Sequence, residues 1–198
     1  MKKLIATLLL LMMTLAIPGG AYPQVDSVVP LIGPDGVVHC AAFVIDQKRH
    51  YILTADHCID DTHALLADGI QTTEIFHVPA LDAAVLYAPG LLPYRKELNA
   101  RVEIAAEEKA TFYGYGLGIF TTQEGSIVFP IIRFGDGFTA YTLTAPAIMP
   151  GMSGGPAISQ EDGLVVGMNQ RTHIKFNLAL NAAFYQIVGA TKEYWGSD

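Results

Sequence analysis

Basic residues are scarce in this sequence: 12 Lys and Arg stand against 19 Asp and Glu in 198 residues, a formal charge of −7. Nucleic-acid binding depends on clustered cations that neutralise phosphates, so the composition argues against that class of partner. Acidity of this size favours solubility and names no substrate. Cysteine is nearly absent too, with only Cys40 and Cys58. Neither a Cys-x-x-Cys nor a His-x-x-x-His spacing occurs, and His39, His50, His63 and His77 are scattered among strand ends and turns. No metal site is therefore expected. Internal repeats, low-complexity tracts and the long helical periods of a parallel β/α fold are missing as well.

Long apolar runs are confined to the start. Met1-Lys2-Lys3 is followed by Leu4 to Ile17, apolar apart from Thr7 and Thr14, and then by Pro18-Gly19-Gly20-Ala21. A positive start, a short apolar run and small residues make a signal peptide over residues 1–21, cleaved after Ala21 or after Ala16. A retained N-terminal anchor is the competing reading. No later segment approaches the roughly 20 apolar residues of a membrane span, so no membrane association is expected once the leader is gone. Loss of Lys2 and Lys3 with it would move the formal charge from −7 to −9. A secreted or periplasmic location follows, and there an even pair of cysteines reads as one disulfide, worth about 3 kcal/mol for so short a loop.

Short β-rich runs fill the remainder: Val37 to Ile45, Tyr51 to Thr54, Thr73 to Val78, Ala83 to Tyr87, Ala110 to Tyr115, Ser126 to Ile132, Tyr141 to Ala145, Leu164 to Met168 and Ile174 to Leu180. Runs of this length between turn residues predict an all-β protein built as a sandwich or barrels. Pro, Gly and charge replace the strand pattern over Pro89 to Glu108, which reads as a linker between two β modules. The spacing of Ala182, Tyr185, Ile187 and Val188 predicts a helix within Leu180 to Trp195.

Two segments carry chemistry. Thr54-Ala55-Asp56-His57-Cys58 follows one strand, and Gly151-Met152-Ser153-Gly154-Gly155-Pro156 precedes another. A serine hydroxyl becomes a useful nucleophile only beside a neutral imidazole that takes its proton. The imidazole in turn needs a carboxylate on its other nitrogen, and the charge developing on a carbonyl oxygen needs fixed N–H donors. Glycines around Ser153 permit a backbone turn in which the N–H groups of Gly151 and Ser153 converge.

These segments resemble the histidine and serine motifs of chymotrypsin-like (trypsin-like) serine peptidases. Cys40, within His39-Cys40-Ala41-Ala42-Phe43-Val44-Ile45, resembles the cysteine that bridges the histidine loop to Cys58. Leu81-Asp82-Ala83-Ala84-Val85-Leu86 is similar to the aspartate segment of that family, and Tyr113-Gly114-Tyr115-Gly116 to the pattern opening its second barrel. The resemblance spans roughly Val37 to Gly167. It implies two six-stranded Greek-key barrels, over residues 22–104 and 105–198, with His57, Asp82 and Ser153 as a triad in the cleft between them. It implies a monomeric secreted endopeptidase acting on polypeptides through an acyl-enzyme, with no cofactor. A catalytically inactive binding module of the same fold is the alternative.

Asp56, Asp60, Asp61 and Asp68 lie nearer His57 in sequence, but only Asp82 heads an apolar strand. Gly151 to Gly155 also satisfies G-x-S-x-G, which in an α/β-hydrolase would nominate Asp162 and His173; only 45 residues follow Ser153, too few for that fold. Ala147, six residues before Ser153, stands where trypsin carries the aspartate of its specificity pocket. With Ile148 and Gln170 it points to a neutral, apolar residue on the acyl side of the scissile bond. Gln170 also lies in the neighbourhood where a serine often supports the triad aspartate, and His173 follows the strand that walls the pocket. Met152 replaces the aspartate that receives a freed N-terminus in zymogen-activated relatives, so no such activation is expected.

Overall fold

The computed structural model describes residues 25–59, 65–91, 93–133, 140–173, 177–182 and 184–195; the expected leader, with Asp60, Asp61 and His63, lies outside them. The first module holds β1 (Val28–Ile32), β2 (Val38–Asp46), β3 (Tyr51–Thr54), β4 (Leu66–Ala67), β5 (Ile70–Gln71), β6 (Thr73–Val78) and β7 (Ala83–Tyr87). They form one antiparallel sheet in the order β5-β4-β1-β2-β3-β7-β6. The second holds β8 (Lys109–Gly114), β9 (Thr121–Arg133), β10 (Ala140–Ala145), β11 (Pro156–Ser159), β12 (Val165–His173) and β13 (Leu178–Ala182). These close into the expected six-stranded barrel, β10-β13-β12-β11-β8-β9. The first module departs in detail: its seven strands curl into a half-barrel whose edges, β5 and β6, do not pair with each other.

Strand β2 shows why the modules stay together. Every residue from Cys40 to Asp46 is buried, so both faces of the strand are covered, as a continuous apolar run requires. Phe43, fully buried, pairs with Val28 on β1 and Leu53 on β3. Its ring lies 6.2 Å from that of Trp195, so the end of the chain packs on the first module. The expected C-terminal helix is shorter than its apolar spacing suggests. Leu178–Ala182 is instead β13, because the barrel needs a strand between β10 and β12, and pairing on both sides outweighs local helical preference. The helix α1 covers Phe184–Thr191. No helix among the described residues is long and apolar enough to cross a membrane.

The segment expected as a linker is pinned to the second module. Arg101 N–H donates to Val165 C=O (3.0 Å) and Val165 N–H to Asn99 C=O (2.9 Å). The Arg101 guanidinium bonds the Glu108 carboxylate and reaches Asp162 at 2.8 Å. Burial pushes the Glu108 carboxyl up, but hydrogen bonds from Arg101, Ser159 and the Ala105 N–H outweigh it and hold the group below its ordinary range. A depressed folded-state value means that stability is complete above the ordinary carboxylate range and drains away as pH falls through the folded value. Glu108→Gln should therefore cost about 2 kcal/mol at neutral pH and flatten the acid limb of the stability curve, as read by urea unfolding from pH 7 to 3. An unchanged acid limb would refute this.

Candidate active site

His57 is placed by what holds its neighbours. Strand β3 ends at Thr54, whose hydroxyl donates to Ala41 C=O (2.8 Å), and Asp56–Cys58 then forms a single 3₁₀ turn. Cys58 is disulfide-bonded to Cys40 on β2. The turn is thereby tied at both ends to buried strands, while the His57 side chain stays 42% exposed.

Asp82 meets it from the neighbouring strand of the sheet. Asp82 caps the 3₁₀ turn Pro79–Leu81 and heads β7, which pairs with β3 from Tyr51 to Thr54. Its carboxylate accepts from His57 Nδ1 at 2.8 and 2.9 Å and from the His57 backbone N–H at 2.9 Å. A carboxylate can only accept, so Nδ1 carries the hydrogen and Nε2 keeps its lone pair. Asp82 has φ of 49°, a left-handed conformation that few residues other than Gly, Asn and Asp adopt readily.

Gln170, on β12 of the other module, bridges to that strained residue. Its side-chain amide donates to the carbonyls of Leu81 (2.6 Å) and Asp82 (2.9 Å), and its main-chain carbonyl accepts from Ser153 Oγ (3.1 Å). Of the two places expected for Gln170, the specificity pocket and the support of the aspartate, its side chain takes the second and holds the Asp82 segment. The contact is made across 88 positions, so the family resemblance and not residue spacing pointed to it. Ser153 makes no hydrogen bond to His57 among the described residues; its hydroxyl rests on Gln170.

Ser153 sits after a tight turn. Met152 N–H donates to Met149 C=O (3.1 Å), and between them Pro150 is followed by Gly151 with φ of 90°. Pro at the first central position and a positive φ at the second define a type II turn. The Pro150 carbonyl accepts from Leu117 N–H (3.0 Å), so the trans peptide aims the Gly151 N–H the opposite way. Neither the Gly151 nor the Ser153 N–H donates to an acceptor among the described residues. Gly154, with φ of 80°, comes so close to the first module that a Cβ would stand 2.2 Å from Ala41 O. That approach lets Ser153 C=O accept from Ala41 N–H (2.8 Å), fixing the serine against β2. Met152 is wholly buried in the second barrel's core, as is nearly all of Ile148.

The remaining candidates disperse. Asp56 bonds His77 (3.2 Å), Asp68 pairs with Arg95, and Asp162 pairs with Arg101. His50 lies 6.4 Å from the Tyr87 ring, and the side chain of His173 is outside the described residues. Ala147 is half-buried at the end of β10, with its N–H donating to Asn177 Oδ1 (3.2 Å). A cavity of 680 Å³ opens over Ser153, His57 and the disulfide; Ala147, Ile148 and Gln170 do not line it. Cys40, His57 and Cys58 place ligand-type atoms within 4.8 Å of one another, but the two sulfurs are bonded together and offer no thiolate to a metal.

Residues 40–168 match the trypsin-like peptidase domain family. The active form of the Rv3671c protease from M. tuberculosis has a TM-score of 0.73 at 21% identity, covering 91% of this chain and 86% of that one. Its inactive form gives 0.71 at 19%, over 89% and 95%. The MamO protease domain from Magnetospirillum magneticum gives 0.67 at 15%, over 85% and 97%. No curated protein matches the sequence. Likeness at such identities speaks for the fold alone, and it fits active and inactive forms about equally well.

Proposed function

For a chain that belongs to the trypsin-like peptidase family and is a chymotrypsin-like serine peptidase, we propose that Ser153 is the nucleophile, His57 its general base and Asp82 the orienting acid. The pairing of Asp82 with His57 Nδ1, beside Ser153 in one cavity, carries this reading.

Turning about Cα–Cβ takes the Ser153 hydroxyl from Gln170 C=O toward Nε2 of His57, a contact that commonly tightens only with substrate bound. Oγ attacks the substrate carbonyl as its proton passes to Nε2, and Asp82 stabilises the imidazolium. The unpaired N–H groups of Gly151 and Ser153 receive the negative oxygen. His57 then gives its proton to the leaving amine, and water repeats the sequence on the acyl-enzyme. Because the type II turn is already made and Met152 is an apolar core residue, the site is competent on folding, without a freed N-terminus to complete it.

No carboxylate lies between Ala145 and Met152, so the acyl-side pocket favours a neutral, apolar side chain. The N-terminal leader sends the enzyme out of the cytoplasm, where its disulfide is stable. Digestion of an unstructured polypeptide library tests the function: cuts should follow neutral apolar residues. Dominant cutting after Arg or Lys would overturn the specificity, and no cutting would overturn the activity.

A further inference from the structure

The 680 Å³ cavity extends from Ser153 and His57 away from Ala147, Ile148 and Gln170. His57 is the group that protonates the leaving amine, so a cavity on its side of the nucleophile receives the chain departing with that amine. Its floor is apolar, formed by the disulfide and Leu65, and its rim is the turn between β1 and β2. On that rim His39 Nε2 bonds both oxygens of Asp35, at 2.9 and 3.0 Å. The pair is seated on Gly33, where a Cβ would stand 2.7 Å from the His39 ring. Asp35 also accepts the Val37 N–H at 3.0 Å. That bond, and then His39, hold its carboxyl below the ordinary range. Among the described residues, Asp35 is the one acidic residue lining the cavity.

We propose that Asp35 selects a Lys or Arg side chain among the first residues after the scissile bond. The inference rests on Ser153 being the nucleophile, and it adds a substrate feature which that reading leaves open. An extended chain advances about 3.3 Å per residue, so a long cationic side chain one to three residues beyond the bond can reach the rim. Asp35 is half exposed, so the attraction is modest and screened by salt. The contact acts only until the acyl-enzyme forms, because the leaving segment departs at that step.

Peptides sharing one acyl-side sequence, with Arg, Gln or Glu at each of the first three positions after the bond, provide the test. At low salt, Arg should raise kcat/KM about three- to fivefold over Gln at one of these positions, and Glu should lower it. Asp35→Asn keeps an oxygen for Val37 N–H and so keeps the turn; it should erase the Arg advantage, as should 0.5 M salt. Asp35→Lys should invert it in favour of Glu. No Arg preference at any position, or one that persists in Asp35→Asn, overturns the proposal while cleavage itself upholds the peptidase site. A wild-type enzyme that cleaves none of the peptides overturns the site assignment, and this inference falls with it.

Discussion

Replacing Ser153 by alanine is expected to lower kcat about 10⁶-fold on any peptide substrate. No other hydroxyl can take its place, because the geometry that serves it is built around one position. Around Ser153 the N–H groups of Gly151 and Ser153 meet no acceptor among the described residues, and Ala41 N–H holds the serine carbonyl against β2. His57 is fixed by its disulfide-bonded turn. Residual turnover from the N–H groups and substrate binding is all that remains. The substitution removes one oxygen whose only partner among the described residues is the Gln170 main-chain carbonyl, so thermal stability should hardly change. Burst and steady-state kinetics, with a melting curve of the same sample, check both halves. A variant that keeps even one hundredth of the wild-type rate would remove Ser153 from the mechanism.

Asp82→Asn is expected to lower kcat about 10⁴-fold at neutral pH while KM moves little. An asparagine tolerates the left-handed backbone at this position. Its amide oxygen can still accept the His57 backbone N–H, and the Gln170 bonds go to main-chain carbonyls that the substitution leaves in place. What changes is the proton on the imidazole. An amide nitrogen facing Nδ1 donates to it, so the hydrogen moves to Nε2 and the base has no lone pair for Ser153. Loss of the carboxylate also leaves the imidazolium without its counter-charge. Comparing pH–rate profiles separates this from a loosened fold: the variant should recover as base-driven chemistry takes over at high pH. A uniform loss at every pH would indicate misfolding.

Much of this site was legible because its chemistry is local. Thr54 to Cys58 and Gly151 to Pro156 each carry their own turn geometry, and Asp82 stood out as the head of an apolar strand that runs beside β3. The disulfide followed from an even pair of cysteines behind an expected leader. What escaped was long-range. The resemblance set Gln170 near the aspartate, but its bonds to two main-chain carbonyls, one of them 88 residues away, are encoded by no periodicity. Ile148 belongs to the expected pocket, yet it fills the core beside Met152, since the segment between β10 and β11 closes over the inside of the barrel. Strand β1 was hidden by Pro30, which is tolerated where β2 pairs with it and β4 does not reach. Strand β13 was legible in the run ending at Leu180, but its last residues, Asn181 and Ala182, fell in the expected helix, and only barrel closure decides between the two.

The central claim, that Ser153 is activated by His57, is tested most directly by a fluorophosphonate probe followed by peptide mapping. One adduct per chain, on Ser153, is the predicted result, with labelling abolished in Ser153→Ala and strongly slowed in His57→Ala. Folded protein that takes up no probe, or that carries the adduct on another residue, would contradict it.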